Sequence, residues 1–200
     1  MNINKQNITA YILAGGKSSR LGTDKGLYLL NGKPIIEYVI SQLKPVVTNI
    51  VIVTNNKEYK QFGYEIIADN IADNGPSGGI HAALKHTGTN QNFIVSCDMP
   101  FITSDSILFM INNSIGYQIT VPVNNGKFEP LFAVFSKDCF TKWEEIINNG
   151  TKKMMDIINQ FNTLKVNIDN NPLFPKSLFL NINTPEDLQK AVDKLVDKCG

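Results

Sequence analysis

The sequence has little of what marks an exported, membrane-bound or nucleic-acid-gripping chain. Its three cysteines in 200 residues, Cys97, Cys139 and Cys199, are far apart, odd in number and free of Cys-x-x-Cys spacing, which excludes a disulfide framework and a zinc cluster. Charge is scarce and balanced, 19 basic against 18 acidic residues for a net +1. That leaves no broad field for a nucleic acid or an anionic bilayer. Residues 1–7 are polar and the apolar run after them breaks at Gly15, so neither a signal peptide nor a membrane span is expected. A reducing, cytoplasmic setting follows, in which the Asn-x-Ser/Thr triplet at Asn149 is a chance match. Repeats, low-complexity tracts and flexible linkers are also missing. With 42% hydrophobic residues, residues 1–200 are expected to build one core and one domain.

What is present is an alternation of apolar runs and helix-period segments. Residues 9–13 read as a strand, 34–43 as a helix and 49–54 as a strand, which is a βαβ unit. A weaker helix at 57–62, a strand at 64–68, a helix at 77–86 and a strand at 92–96 extend it toward a mostly parallel sheet with helices on both faces. After a helix at 104–111, capped by Thr103, the pattern changes. Runs at 119–123 and 128–135 flank Asn124-Asn125-Gly126 and predict a small hairpin insertion. Residues 167–176, with Pro172 and Pro175, predict a surface loop. Thr184, Pro185 and Asp187 signal the start of a last helix, whose stripe is Leu188, Ala191, Val192 and Leu195.

The segment leaving the first strand, Leu13-Ala14-Gly15-Gly16-Lys17-Ser18-Ser19-Arg20-Leu21-Gly22-Thr23-Asp24-Lys25, suits phosphate. Its glycines let main-chain N–H groups approach an anion, Lys17, Arg20 and Lys25 offset negative charge, and two serines add donors. It is neither a Walker A loop nor a Gly-x-Gly-x-x-Gly fingerprint. Its place after the first strand of an alternating sheet, where ligands collect, separates it from an ordinary glycine turn.

Asp98 stands where a buried strand ends, before Met99-Pro100. It is the expected magnesium ligand, because an ion bridging phosphate oxygens needs only one or two carboxylates, and Thr103 with Ser104 already caps the next helix. Asp69, at another strand end, reads equally as a nucleotide contact or a turn residue. Asp73-Asn74-Gly75-Pro76-Ser77-Gly78-Gly79 opens a helix with more glycines than a turn needs, so Gly75, Pro76 and Gly79 are expected to let a base or phosphate pass closely. Glu129, and the alternating Asn181 and Asn183, read evenly as structural or as ligand-facing. His81 and His86 read as packing or surface residues, and Cys97 as packing.

Through LAGGKSSRLGTDKG, GPSGG, CDMPF, EPLFAVF and NINTPEDL, spread from Thr9 to Val196, the chain resembles the molybdenum cofactor guanylyltransferases. The resemblance implies a Rossmann-like α/β fold of the nucleotide-diphospho-sugar transferase type. It also implies GTP as co-substrate, Mg2+ as cofactor, and molybdopterin as an acceptor whose terminal phosphate receives GMP as pyrophosphate leaves. Carried over, Leu13, Ala14, Gly15, Gly16 and Lys17 would contact the nucleotide, with Lys25 on its phosphates, Asp69 on the nucleoside side and Asp98 on magnesium. Glu129, Asn181 and Asn183 would lie toward the pterin. Lys25 and Arg20, with the magnesium on Asp98, would form the catalytic group. Proteins that mature molybdoenzymes or handle molybdopterin would be further partners, with no nucleic acid or membrane involved. Ser77 stands where the family has leucine, and Thr54 where some members have a nucleotide-contacting asparagine. A cytidylyltransferase acting on molybdopterin or on a sugar or isoprenoid phosphate shares this chemistry, and a non-catalytic nucleotide or cofactor carrier would share only the fold.

Overall fold

The computed structural model describes residues 6–15, 24–69, 71, 74–180, 182 and 184–196. Strand β1 (Gln6–Leu13) is followed by a 3-10 turn (Lys25–Leu27), a ribbon of β2 (Leu29–Leu30) and β3 (Lys33–Pro34), helix α1 (Ile35–Leu43), β4 (Val47–Val53), a second 3-10 turn (Lys57–Phe62) and β5 (Glu65–Ile67). Next come α2 (Pro76–His86), β6 (Gln91–Ser96), α3 (Ser104–Asn112), β7 (Ile119–Asn124), β8 (Lys127–Phe128) and β9 (Phe132–Ser136). A third 3-10 turn (Lys137–Cys139), α4 (Phe140–Asn148), α5 (Met154–Ile158), β10 (Thr163–Asn167) and α6 (Pro185–Val196) complete the described chain.

The main sheet has the order β10-β7-β9-β6-β1-β4-β5, with β8 paired to β7. β1 is parallel to both of its neighbours, β4 and β6. β9 alone in that path runs against its neighbours, β6 and β7. The chain moves from β1 to β4 to β5 in one direction and then crosses β1 to lay down β6 on its other side. The gap between β1 and β6 is therefore a topological switch point, where helices diverge and leave a crevice at the carboxyl ends of the strands.

β1 is central, so both of its faces are buried and it reads as an almost unbroken apolar run. Ala10 and Ile12 join a cluster with Ile36, Val39 and Leu43 of α1 and Ile107 and Met110 of α3. Tyr11 faces the opposite cluster, built by Ile80 and Leu84 of α2, Trp143 and Ile147 of α4, and Ile157 of α5. Helices thus cover both faces, as the alternation predicts. A third cluster brings Ile182 and Ala191 against Leu30, Ile35 and Phe101, with Leu188 and Val192 beside them. The last helix begins as expected: the Thr184 amide donates to Asp187 Oδ2 at 3.1 Å and the Asp187 amide to Thr184 Oγ1 at 3.2 Å, a reciprocal cap.

Two expectations need correction. The paired runs at 119–123 and 128–135 are not an insertion but strands of the main sheet, and only the β7–β8 tip is a small hairpin. The second run is also broken between Phe128 and Phe132, because Pro130 has no N–H for a ladder and the Phe132 amide instead closes a turn onto the Glu129 carbonyl at 3.1 Å. Helices α4 and α5 and strand β10 are absent from the sequence reading. The 167–176 loop does exist, but Ile168 and Phe174 are drawn from it into the core.

Trp143 fixes α4 to α2. Its ring is fully buried, lies edge-on to Phe135 with centroids 5.6 Å apart, and its Nε1 donates to the Ser77 carbonyl at 3.1 Å. Trp143→Phe removes both volume and this bond, and should cost about 1–3 kcal/mol, read from urea unfolding followed by circular dichroism. An unchanged midpoint would show that the α2–α4 contact does not depend on the indole.

Candidate functional site

The sheet register sets the site. Leu13 of β1 is level with Val53 of β4 and Ser96 of β6, and Val53 with Ile67 of β5. The row is carried one step further, since the Ala14 amide donates to the Val53 carbonyl at 2.9 Å, Thr54 to Ile67 at 2.9 Å and Cys97 to Leu13 at 3.1 Å. Ala14, Thr54, Cys97 and Ala68 therefore leave four adjacent strands on one rim. Asp69 and Asp98 each follow that row by two residues, on strands three spacings apart, or about 14 Å. The two carboxyls cannot share one ion across that span, but a nucleoside triphosphate laid along the rim can reach both.

At the β6 end, Asp98 is only 6% exposed and is held at three points. Ser96 Oγ donates to its Oδ1 at 2.6 Å. Lys25 Nζ donates to its Oδ2 at 3.3 Å, and the Ile182 amide donates to its carbonyl at 3.3 Å. Lys25 and Asp98, separated by 73 residues, are thus brought together at the switch point. Ser96 went unnoticed in the sequence, where a serine before a cysteine looks like any buried strand residue.

Lys25 opens a 3-10 turn whose cap is Asp24. One carboxyl oxygen, Asp24 Oδ1, accepts the Gly26 amide at 3.3 Å and the buried Tyr59 hydroxyl at 2.5 Å. Gly26 is required by close approach: a Cβ there would stand 2.5 Å from the Tyr59 oxygen and 3.1 Å from Cys97 Cβ. Cys97 is packing, as expected, and burial pushes its thiol well above the ordinary range, so it stays protonated. The Asp-x-Gly spacing signals the Asp24 cap; nothing local in the sequence points to Tyr59.

At the β5 end, the Asp69 carboxyl lies over the first turn of α2. A Cβ on Gly78 would be 2.8 Å from its Oδ1, and one on Gly79 would be 3.2 Å from Leu13 Cδ2. Close packing of helix on strand thus accounts for these two glycines. Gly75 precedes Pro76, the first residue of α2, at φ +52°, a region that favours glycine. Asp69 Oδ1 also accepts the Ile71 amide at 3.0 Å. Burial raises the carboxyl pKa, against the Ile71 bond and the nearby His81. His81 itself bonds Glu144 of α4 at 3.0 Å, and His86 bridges Tyr11 at 3.0 Å and Glu65 at 3.2 Å. His81 is a packing residue, and His86 is an exposed one.

Glu129 lies in the turn beside β6, its amide donating to the Pro122 carbonyl at 3.1 Å, while Leu131 two residues on accepts the Ser96 amide at 3.0 Å. Burial raises its pKa, with Lys127 opposing. Gly16, Lys17, Arg20, Asn181 and Asn183 lie outside the described residues. Gly15 and Ile182, described neighbours of these segments, sit respectively one residue past the β1 rim and against Asp98. No group of three His, Cys, Asp or Glu side chains gathers as a metal cage among the described residues. Nor is any described helix long and apolar enough to cross a membrane.

Residues 10–165 match the family described as MobA-like NTP transferase domain. A probable molybdenum cofactor guanylyltransferase of Flavobacterium johnsoniae is 36% identical over 184 residues, covering 92% of this chain and 95% of that one. The molybdenum cofactor guanylyltransferase of Photobacterium profundum is 37% identical over 184 residues, covering 90% and 92%. The crystal structure of molybdopterin-guanine dinucleotide biosynthesis protein A from Archaeoglobus fulgidus superposes with a TM-score of 0.80 at 26% identity, over 94% of this chain and 99% of the other. The chain belongs to the MobA-like NTP transferase family.

The raised Asp69 carboxyl has a stability consequence. Between its unfolded and folded pKa values the folded chain holds the extra proton, so stability falls as pH rises through that window. Asp69→Asn keeps an acceptor for the Ile71 amide. It should be more stable than wild type above the window and equal to it below, in urea midpoints taken from about pH 3 to about pH 8. A difference that does not change with pH would rule out burial of the carboxylate as its cause.

Proposed function

We propose that this MobA-like NTP transferase moves GMP from GTP to the terminal phosphate of molybdopterin, forming the guanine dinucleotide cofactor and releasing pyrophosphate, in the cytoplasm and as one domain over residues 1–200. The relatives, molybdenum cofactor guanylyltransferases, support the substrates. The Lys25–Asp98 contact at the switch point of the sheet carries the chemistry.

The nucleophile is a phosphate oxygen of the acceptor, already anionic, so no general base is needed. The barrier lies in aligning two polyanions and in the charge that develops as pyrophosphate leaves. In this reading Lys25 supplies a cation to the nucleotide phosphates, and the amides of the 13–15 segment and the N-terminus of α2 line their path. Arg20 and Lys17 add charge from the same loop. Asp69 addresses the nucleoside end, beside Gly75, Pro76 and Gly79. Glu129, Asn181 and Asn183 serve the acceptor.

The donor set fits magnesium. Asp98 offers one carboxylate and Ser96 a neighbouring hydroxyl, 2.6 Å apart, which suits an ion that takes its remaining oxygens from water and phosphate. Asp98 would hold it, and when bound it would neutralise phosphate charge and polarise the phosphoryl oxygens. Ser96 orients the carboxylate in either state, and Lys25 keeps it paired when nucleotide is away.

Pyrophosphate release should require GTP and molybdopterin together among the four nucleotides tested with and without the pterin. Turnover with CTP in place of GTP would move the protein to the cytidylyltransferases, and GTP binding without turnover would make it a carrier. Asp98→Ala should lower turnover roughly hundredfold or more with its circular dichroism unchanged, given the several kcal/mol such an ion contributes. Activity retained in that variant would take Asp98 out of the reaction.

A further inference from the structure

We infer that Tyr59 is the positioning residue for Lys25: its buried hydroxyl, through Asp24, fixes the turn that delivers the lysine ammonium to Asp98. This rests on the reading that Lys25 serves the nucleotide phosphates.

A lysine side chain has four rotatable bonds, so its aim depends on how firmly its own backbone is held. Here the holding element is small. The turn Lys25–Leu27 has only three residues, closed by the Leu27 amide on the Asp24 carbonyl at 3.0 Å and the Tyr28 amide on the Lys25 carbonyl at 3.3 Å. A turn of this size does not hold its orientation by itself. Among the contacts that tie it from outside are the Tyr59 hydroxyl on Asp24, the contact of Gly26 with both Tyr59 and Cys97, and the packing of Leu27 on the core. Cys97 precedes Asp98, so the second contact sets the turn directly against the strand end that bears the carboxylate.

Tyr59 is itself anchored. It lies in the 3-10 turn Lys57–Phe62, whose first residues are capped by Asn56 Oδ1 on the Glu58 amide at 2.9 Å, while Asn56 donates its own amide to Thr54 Oγ1 at 3.1 Å. The turn ends at Gly63, in the left-handed region at φ +73°. Tyr59 is fully buried while Glu58 and Lys60 on either side are exposed. The ring already fills the space and packs on Phe62, so phenylalanine would serve for volume; the oxygen adds the donor that Asp24 takes. Burial pushes the phenol far above its ordinary range, which keeps it an O–H donor throughout. Through this route the end of β4, which carries Thr54, is coupled to the cation at the β1–β6 gap.

The test is a cycle of wild type, Tyr59→Phe, Lys25→Met and the double variant, assayed for pyrophosphate release with GTP and molybdopterin. Tyr59→Phe should lower kcat roughly tenfold, as losing a bond to a charged or strongly polar group predicts, and change KM for GTP by less than about threefold. In the Lys25→Met background the same change should cost less than about twofold, because there is no ammonium left to aim. An equal loss in both backgrounds would show that Tyr59 acts on stability alone and overturn the inference. A second readout needs no turnover: after reductive 13C-methylation, the Lys25 resonance of Tyr59→Phe should move toward that of Asp98→Asn. A resonance that stays at the wild-type position overturns the inference. Absence of reaction in the wild type would sink the proposed substrates while leaving this second measurement decisive for Tyr59.

Discussion

The pairing of β1 with β6 is the constraint on which the site depends. These strands are parallel and adjacent, yet β4 and β5 are laid down between them in sequence, and only this out-of-order placement opens a crevice above their shared end. Leu13 and Ser96 lie level in the register, so the chain segments that follow, one glycine-rich and one carrying Asp98, emerge side by side. A shift of one residue in that pairing would turn every side chain of one strand to the opposite face. The two apolar clusters on either side of β1 make such a shift costly, because Tyr11 would then exchange places with Ala10 or Ile12. The packing of the core and the geometry of the rim are in this sense one requirement.

The Lys25–Asp98 pair illustrates how such a rim is kept ready. A carboxylate 6% exposed is expensive to leave unpaired, and the Lys25 ammonium 3.3 Å away offsets that cost. In the function proposed above, the pair would hold until phosphate arrives. Ser96 matters in both conditions, since its hydroxyl holds one carboxyl oxygen whatever the other one meets. Asp69 is the opposite case. Its burial raises its pKa, so the chain carries a destabilising group at the far end of the rim.

What the sequence made legible follows from range. The βαβ alternation, the Thr103 and Thr184 caps and the placing of Asp98 at a strand end rest on local period and local chemistry, and these match the structure. Helix α5 did not declare itself because it has only five residues, and α4 because its apolar face is mainly Trp143, Ile146 and Ile147. Strand β10 has no fully buried residue and finds its place through pairing with β7. Tyr59, Ser96 and the Trp143–Ser77 bond became visible only when elements distant in sequence were packed together. The glycines at 78 and 79 have a packing reason that the sequence does not show, since a Cβ at either would crowd Asp69 or Leu13.

The two departures from the family pattern can be settled by the same accounting. Ser77 is fully buried, and its hydroxyl donates back to the Asn74 carbonyl at 2.7 Å while its own carbonyl takes the Trp143 indole. Thr54 is 4% exposed and its hydroxyl accepts the Asn56 amide at 3.1 Å. Both hydroxyls are engaged in shaping their own turns, so neither substitution adds a polar group directed at a ligand. Their influence is on the course of the backbone: Ser77 holds the 74–77 turn that opens α2, and Thr54 holds the turn that carries Tyr59. The groups left at this end are the main-chain groups of that turn and Asp69. These are groups whose positions α4 fixes through Trp143 and Glu144 rather than through any residue of the rim itself.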